Sequence, residues 1–282
     1  MLLVPGAFAQ TITYEDQLHL LAPTDTGETG LFVGITGDTL QRADWSFSIY
    51  YDNFDYLLAP APELAPPSRR SYRDMDVDEN RITATVGYGL TDRWEVTAAL
   101  PYKMIKNNAG DQAGYLNGYP QIGKFDVNGM GNLHLATKVQ LLDPATHSSR
   151  VALSMFVDPE TGDAGEGITN GNTNYGVGLH WNSGIWSLGG QYAIIGDRSA
   201  SDMPAGFDTS DVSLPNEWRL NGGVNVPLGW WATTNWISEV NAILFDGGDR
   251  QPDDIVYVLT GLRHWFGTSG WGLSAAVRAN TT

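Results

Sequence analysis

The chain has 282 residues and carries 16 lysines and arginines against 32 aspartates and glutamates, which gives a net charge of −16 at pH 7. Nucleic acid is therefore not an expected partner, because its binding depends on clustered cations. The sequence has no cysteine, which excludes a disulfide scaffold and a Cys-ligated metal site. The mean hydropathy is −0.22, and no apolar run is long enough for a transmembrane helix.

The N-terminus has the features of an export signal. Residues 1–9 read MLLVPGAFA, an apolar run that ends in the small-x-small pattern of a signal-peptidase site. We interpret them as the remnant of a signal peptide; a short apolar strand or loop is the alternative. Residues 10–42 form a separate N-terminal segment, which precedes the regular pattern of the remaining chain.

Beyond residue 42, apolar and polar residues alternate one by one in eleven segments. The first of them places Trp45, Phe47 and Ile49 on one face and Ser46 and Ser48 on the other. Most segments span about nine to thirteen residues, close to the 9–11 that a tilted strand needs to cross a bilayer. Alternation of this kind is typical of a barrel strand, because one face meets lipid and the other meets the lumen.

The links between these segments alternate in length. Bacterial outer-membrane barrels pair short periplasmic turns with long external loops. The sequence therefore predicts an all-β, antiparallel up-and-down transmembrane barrel of about 12 strands over residues 43–282. The short links are residues 91–92, 143–147, 182–184, 227–229 and 267–270, and the long links are residues 55–80, 103–130, 158–173, 196–215 and 245–253.

The strand count leaves an alternative open. The first and eleventh segments run in the same direction, whereas such barrels close an even number of strands, so we expect at least one closing C-terminal strand to be missing. The rival is a closed twelve-stranded barrel in which residues 30–39 (GLFVGITGDT) supply a further strand. The same residues could instead lie in the periplasm or inside the lumen.

Aromatic residues gather toward the ends of the segments. Interfacial girdles of Trp and Tyr have this distribution in membrane proteins. The predicted girdle consists of Trp45, Trp94, Tyr102, Trp181, Trp186, Trp218, Trp271 and Phe266.

The polar face of the segments carries charges of both signs. Such groups lining a water-filled pore create a transverse field that discriminates between solutes. The alternative is that they pair with one another and block a narrow barrel. The predicted lumen-lining residues are Arg81, Arg93, Glu95, His134, Lys138, His180, Glu217, Arg219, Glu239, Arg263 and Arg278.

Three stretches carry a resemblance to known barrels: ADWSFSIYYDNFD (residues 43–55), YGLTDRWEVTAALPY (88–102) and GMGNLHLATKVQLLD (129–143). They resemble outer-membrane barrels of the phenol-degradation-pathway transporter type and the barrel part of outer-membrane-protein-A-like proteins. The resemblance covers most of the chain from residue 30 onward. It implies an outer-membrane location and the passage of small, often hydrophobic, molecules, and it supplies no catalytic residues.

Catalysis needs a nucleophile beside an oriented base. The nearest candidates are His134 or His180 with Ser154, but no nucleophile-elbow motif accompanies them. We therefore expect no enzymatic activity. The five histidines show no metal-ligand spacing, so we expect neither a metal ion nor a cofactor.

We consequently predict a protein of the bacterial outer membrane that forms a passive pore for small solutes. Its expected partners are the lipid bilayer, solutes and lipopolysaccharide, and the oligomeric state stays open. Arg69, Arg70 and Arg73 could contact lipopolysaccharide phosphates, but we favour a local salt-bridged loop for them. One alternative is a non-conducting structural or adhesive barrel, and another is a soluble secreted β-sandwich that binds glycans. Acidic loops would be the active surface of the adhesive barrel, through Asp74, Asp76, Asp78 and Glu79 in the first loop and Asp158, Glu160, Asp163 and Glu166 in the third.

Overall fold

The structure is a computed structural model. Residues 1–9 and the basic patch at Arg69, Arg70 and Arg73 lie outside its described residues. The residues that it describes are 20–58, 75–143, 145–199, 201, 203–204, 212–228, 233–249, 252–266 and 270–280.

Fourteen β-strands and one short 3₁₀ turn make up the regular structure of the described residues. In this part of the chain, no helix is long and apolar enough to cross a bilayer. The strands are β1 Trp45–Leu58, β2 Met75–Thr91, β3 Trp94–Asn107, β4 Ala113–Leu116, β5 Tyr119–Ile122, β6 Phe125–Met130, β7 His134–Gln140, β8 Ser149–Asp158, β9 Asn174–Ser183, β10 Trp186–Ile194, β11 Asn216–Pro227, β12 Thr234–Asp246, β13 Ile255–Trp265 and β14 Gly272–Asn280.

The strands form one antiparallel wall in the order β1-β2-β3-β7-β8-β9-β10-β11-β12-β13-β14. Both β6 and β7 pair with β3, β6 beside residues 102–107 and β7 beside residues 94–99. They therefore act as one interrupted strand, and the wall has eleven strand positions. The prediction of an all-β, antiparallel up-and-down barrel is confirmed.

The barrel is nearly closed. Within the described residues, β1 pairs only with β2 and β14 only with β13. Side chains connect these two edge strands instead. Arg278 Nη2 lies 2.9 Å from Asp52 Oδ2, and Asn280 Nδ2 donates to the carbonyl of Asp55 over 2.8 Å.

The two faces of the wall differ as the alternation predicts. Phe47 is 71% exposed and Leu179 is 56% exposed, whereas Glu95 and Lys138 are fully buried on the other face. A soluble β-sandwich would bury its apolar face in a shared core. The apolar face of this wall points outward, so the soluble sandwich is wrong and the outer surface suits lipid.

Several strands extend further at the long-loop end than we predicted. Residues 55–58 and 75–80 belong to β1 and β2 rather than to a loop, so Asp76, Asp78 and Glu79 lie in a strand. The predicted long link over residues 103–130 contains the end of β3, the β4–β5 hairpin and β6.

The β4–β5 hairpin was missed, although its signal is present in the sequence. Its turn is Asn117-Gly118, and both residues have positive φ, 47° and 76°. Asn-Gly is the preferred pair for a type I′ hairpin turn, which requires this conformation at both positions.

The rival prediction, in which residues 30–39 supply a twelfth wall strand, is wrong. These residues and their neighbours form only two isolated bridges, Pro23↔Thr29 and Gly30↔Ile35, and they lie against the inner face of the wall. Their backbone groups form hydrogen bonds largely with side chains of the wall.

Candidate functional site in the barrel lumen

Residues 20–44, the luminal segment, run inside the barrel. The segment leaves the lumen beside the short turn between β2 and β3, where the Ala43 amide donates to the Gly89 carbonyl (2.8 Å) and the Arg42 amide donates to Asp92 (3.1 Å). The segment folds back on itself at Asp25 and Thr26, which form its tip. It therefore occupies the half of the lumen nearer the short turns.

Glu239 of β12 is the first anchor of the luminal segment. Its Oε2 accepts the amide of Gly34 at 2.7 Å and that of Val33 at 3.3 Å, and its Oε1 accepts the amide of Phe32. Successive backbone N–H groups that converge on one anion form a nest. The segment thus compensates the charge of a carboxylate that is 1% exposed.

Glu95 of β3 and Lys138 of β7 form the second anchor. They face each other across neighbouring strands, and their charged groups are 3.0 Å apart with both side chains fully buried. Glu95 accepts the amides of Thr29 (2.9 Å) and Leu40 (2.7 Å), while Lys138 donates to the carbonyl of Thr29 (2.7 Å). A buried ion pair persists only when further hydrogen bonds satisfy its members, and here the segment supplies them.

Two more wall residues hold the segment by its backbone. Arg263 of β13 donates to the carbonyls of Gly30 (3.1 Å) and Leu31 (2.6 Å). Asn182 of β9 accepts the amide of Gly37 (2.9 Å). The anchors lie on five different strands, β3, β7, β9, β12 and β13, so the segment is fixed from several sides.

Apolar contacts also hold the luminal segment against the inner wall. Leu31 and Phe32 pack against Ile237, Tyr257 and Leu259, three residues of the inner wall. Burial of apolar side chains contributes roughly 25 cal/mol per Å². The segment therefore fills this part of the lumen with packed side chains.

The tip of the segment bonds to charged side chains nearer the long-loop end. Asp25 lies 2.9 Å from Arg81 of β2, which also contacts Asp52 at 3.1 Å. Asp52 in turn binds Arg278, so this network joins the tip to both outer strands of the wall.

A second contact at the tip involves a histidine. Glu28 Oε1 lies 3.5 Å from His134 Nε2, and His134 Nδ1 lies 2.6 Å from Asp158. The tip therefore bridges β7 and β8 on one side and β1 and β2 on the other.

A chamber of about 260 Å³ lies between the tip and the long-loop end of the barrel. Its walls combine charged, amide and apolar groups. The lining residues are Asp25, Thr26, Arg81, Thr83, Ala99, Pro101, Lys103, Asn117, Asn132, His134, Asp158, Ile168, Thr169, Asn170, Asn174, Ile195, Leu214, Glu217 and Arg219.

The long loops cover the chamber from outside. Arg198 is fully buried and donates to the carbonyls of Asn117 (3.3 Å) and Thr169 (2.9 Å). Its guanidinium also stacks over the Tyr119 ring, 4.9 Å from the centroid. It thereby joins the β4–β5 hairpin to the loop after β8. Next to this cap, apolar side chains form a buried cluster of Met75, Val77, Ile105, Leu116, Val127 and Ile168.

The predicted lumen-lining residues fall into distinct groups. Glu95, Lys138, Glu239 and Arg263 hold the luminal segment, and Arg278 lies at the seam between β14 and β1. The residues at the chamber are Arg81, His134, Glu217 and Arg219.

Arg93 lies apart from these groups, whereas His180 lies beside the luminal segment, close to the backbone of Ile35. Arg93 is exposed beside the β2–β3 turn and donates to the carbonyls of Gln140 and Leu141. His180 is buried, and its Nε2 lies 2.8 Å from Ser154 Oγ. Ser154 thus contacts His180 and not His134.

The predicted girdle residues all lie on the outer face and are exposed. Trp45, Trp94, Trp181, Trp186, Trp271 and Phe266 lie at the short-turn end. Tyr102 and Trp218 lie toward the long-loop end.

Sequence reasoning missed several residues of the site. Lys103 was assigned to a loop, although it shares the inward parity of Glu95 in the longer β3. Asp25 and Glu28 were not singled out, because residues 20–44 have no period that relates them to the wall. Asn182 was assigned to the short link over residues 182–184, although it lies on β9. One available signal was the apolar character of Ile237 and Leu259 at inward positions, which suits a covered surface better than a water-filled bore.

Comparisons with known proteins show similarity to solved structures. No family model matches the chain, and no curated protein matches it. The fold is similar to the crystal structure of the COG4313 outer membrane channel from Pseudomonas putida F1, with a TM-score of 0.61 and 13% sequence identity over 86% of this chain and 90% of that chain. At this identity the similarity shows the fold alone.

Proposed function

We propose that the protein is an outer-membrane channel for small solutes, and that its luminal segment must move for solutes to pass. The observation that carries the proposal is the position of this segment between the chamber and the short-turn end. A solute that reaches the chamber from the long-loop side meets the tip at Asp25 and Thr26. The similarity to a channel of known structure supports the same conclusion.

The chemistry of the anchors supports a segment that can be displaced. Polar and charged contacts predominate, and water can replace them when the segment leaves, unlike a wholly apolar core. The proposal includes lipopolysaccharide and the bilayer as surroundings of the barrel, and it assigns no catalytic role.

Planar-bilayer recordings of the wild type and of Glu239→Gln test the proposal. Hydrogen bonds to a charged group contribute roughly 1.5–3 kcal/mol, so we expect the variant to increase the open fraction about tenfold. Glu160→Gln is the matched control, because Glu160 is an exposed loop residue and should leave the recordings unchanged. Discrete conductance steps that do not respond to Glu239→Gln would contradict a mobile segment.

A second function is favoured by one observation, the packed contact of Leu31 and Phe32 with the inner wall. It is the non-conducting structural barrel, in which the segment stays in place. The absence of conductance from both the wild type and Glu239→Gln, in folded protein, would select this function.

A further inference from the structure

We propose that the chamber is a binding site for a small organic monocarboxylate, with Arg219 as the principal carboxylate ligand and Lys103 as a second cation. The inference names a solute class for the proposed channel and in that sense rests on the proposed function. Binding itself does not require conduction, so the two can fail separately.

The first argument is the charge of the chamber. Its lining contains three permanent cations, Arg81, Lys103 and Arg219, and three carboxylates, Asp25, Asp158 and Glu217. The whole chain has twice as many acidic as basic residues. The chamber therefore lacks the excess negative charge of the rest of the protein, and His134 adds a further positive charge whenever it is protonated.

The second argument is that the three carboxylates already have partners. Asp25 binds Arg81 at 2.9 Å and Asp158 binds His134 at 2.6 Å. Glu217 binds only Nε of Arg219, at 2.8 Å. Each acid of the chamber thus has a basic partner, which reduces the net negative charge that an entering anion meets.

The third argument is that two cations keep free donors. Arg219 bonds Glu217 through Nε, and its two terminal nitrogens have no hydrogen-bond partner among the described residues. Lys103 has neither a side-chain hydrogen bond nor an ion pair within the described part of the chain. The planar end of an arginine accepts a carboxylate through two parallel hydrogen bonds, which is a strong and directional contact.

Arg219 is also held in place for this role. Its guanidinium lies over the Phe156 ring, 5.5 Å from the centroid, and Glu217 fixes the Nε side. A side chain restrained in this way loses little rotational freedom when it binds a ligand. Lys103 stands on β3, five positions from β11 in the sheet order, so the two cations approach the chamber from different sides.

The apolar part of the lining indicates the rest of the ligand. Pro101, Ile168 and Ile195 contribute apolar surface to the same chamber. A carboxylate on a compact apolar body satisfies both kinds of surface, and benzoate is small enough for a chamber of about 260 Å³. Benzamide has nearly the same shape without the charge, which makes it the matched neutral probe.

The test is calorimetric titration of the full chain in detergent micelles with benzoate and with benzamide. We expect saturable binding of benzoate and about tenfold weaker binding of benzamide, because hydrogen bonds between ionised groups are roughly twice as strong as neutral ones. Benzamide that binds as well as benzoate, or no saturable binding of benzoate, would overturn the proposal.

Three variants locate the site. Arg219→Gln and Lys103→Gln should each weaken benzoate binding, the former about tenfold, and Arg219→Lys should restore part of the affinity because it keeps the charge. Lys103→Gln breaks no hydrogen bond or ion pair with described residues, so it tests the site even if Arg219→Gln fails to fold. Arg93→Gln, at the exposed turn, is the control and should bind like the wild type.

The outcomes separate this inference from the proposed function. Unchanged benzoate affinity in both Arg219→Gln and Lys103→Gln overturns the binding site whatever the recordings show. Saturable, Arg219-dependent binding in a protein without conductance supports the site and contradicts the channel.

Discussion

At the scale of single residues, the lumen is organised by buried charges that find their partners in backbone groups. Glu239 accepts three successive amides of the luminal segment, and Arg263 donates to two of its carbonyls. An unpaired buried charge costs several kcal/mol. The wall and the segment therefore depend on each other, because without the segment these groups would need water as a replacement partner.

The Glu95–Lys138 pair offers a direct test of this dependence. Lys138→Met removes the cation and leaves the Glu95 carboxylate buried, so we expect a loss of about 3–5 kcal/mol in the free energy of unfolding. The double variant Lys138→Met/Glu95→Gln removes both charges and should lose less than Lys138→Met alone. Urea unfolding in detergent micelles measures both. A single variant as stable as the wild type would contradict the role assigned to the pair.

Alternation in the sequence predicted that Glu95, Lys138, Glu239 and Arg263 point inward, because the side-chain period of a strand is two. It did not predict their partners. Those partners are backbone groups of residues 20–44, and any residue type except proline presents the same N–H and C=O groups. The sequence therefore predicted the wall side chain of each contact, but it contained little information on the backbone group that the side chain binds.

At the scale of elements, the luminal segment differs from the strands around it. Its backbone hydrogen bonds go partly to wall side chains, such as Glu239 Oε2 and Asn182 Oδ1, rather than to a neighbouring strand. Such a segment has no periodic pattern. The sequence therefore left several locations open for residues 10–42, and the lumen was one of them. Its hold on the wall is a small number of defined contacts that can be altered one by one.

A disulfide between the segment and the wall tests whether conduction needs movement. A Cβ built on Gly34 lies 3.3 Å from Cγ of Asn221 on β11, and the chain has no other cysteine. We expect Gly34→Cys/Asn221→Cys to form the bond in folded protein. Bilayer currents should fall on oxidation and return with dithiothreitol, while the single variants should not respond to reductant. Equal currents in the oxidised and reduced double variant would mean that solutes pass a stationary segment.

At the scale of the whole molecule, the barrel was predictable because many strands repeat one pattern. Alternation sets which face of each strand is apolar, and the link lengths set the direction of each strand, so the two signals together fix an antiparallel wall. The long-loop end was predicted less well. There β1 and β2 are longer than the roughly 9–11 residues that a tilted strand needs to cross a bilayer, and the inner face becomes apolar at Val77, Ile105 and Val127, where loops cover it. At this end of the strands, contact with lipid no longer determines which residues are apolar.

The outward apolar surface makes a prediction that belongs to the molecule as a membrane protein. Leu179 lies in the middle of β9 and is 56% exposed, and Leu141 lies beyond the end of β7 near a short turn and is 48% exposed. In a bilayer, a lysine at mid-depth costs about 2–4 kcal/mol and one near the interface about 0–1 kcal/mol. Leu179→Lys should therefore lower the free energy of unfolding in lipid vesicles by about 2–4 kcal/mol, and Leu141→Lys by about 0–1 kcal/mol. Urea unfolding measures both. On a surface facing water both changes would be nearly neutral, so equal stability of the two variants would contradict a lipid-facing wall.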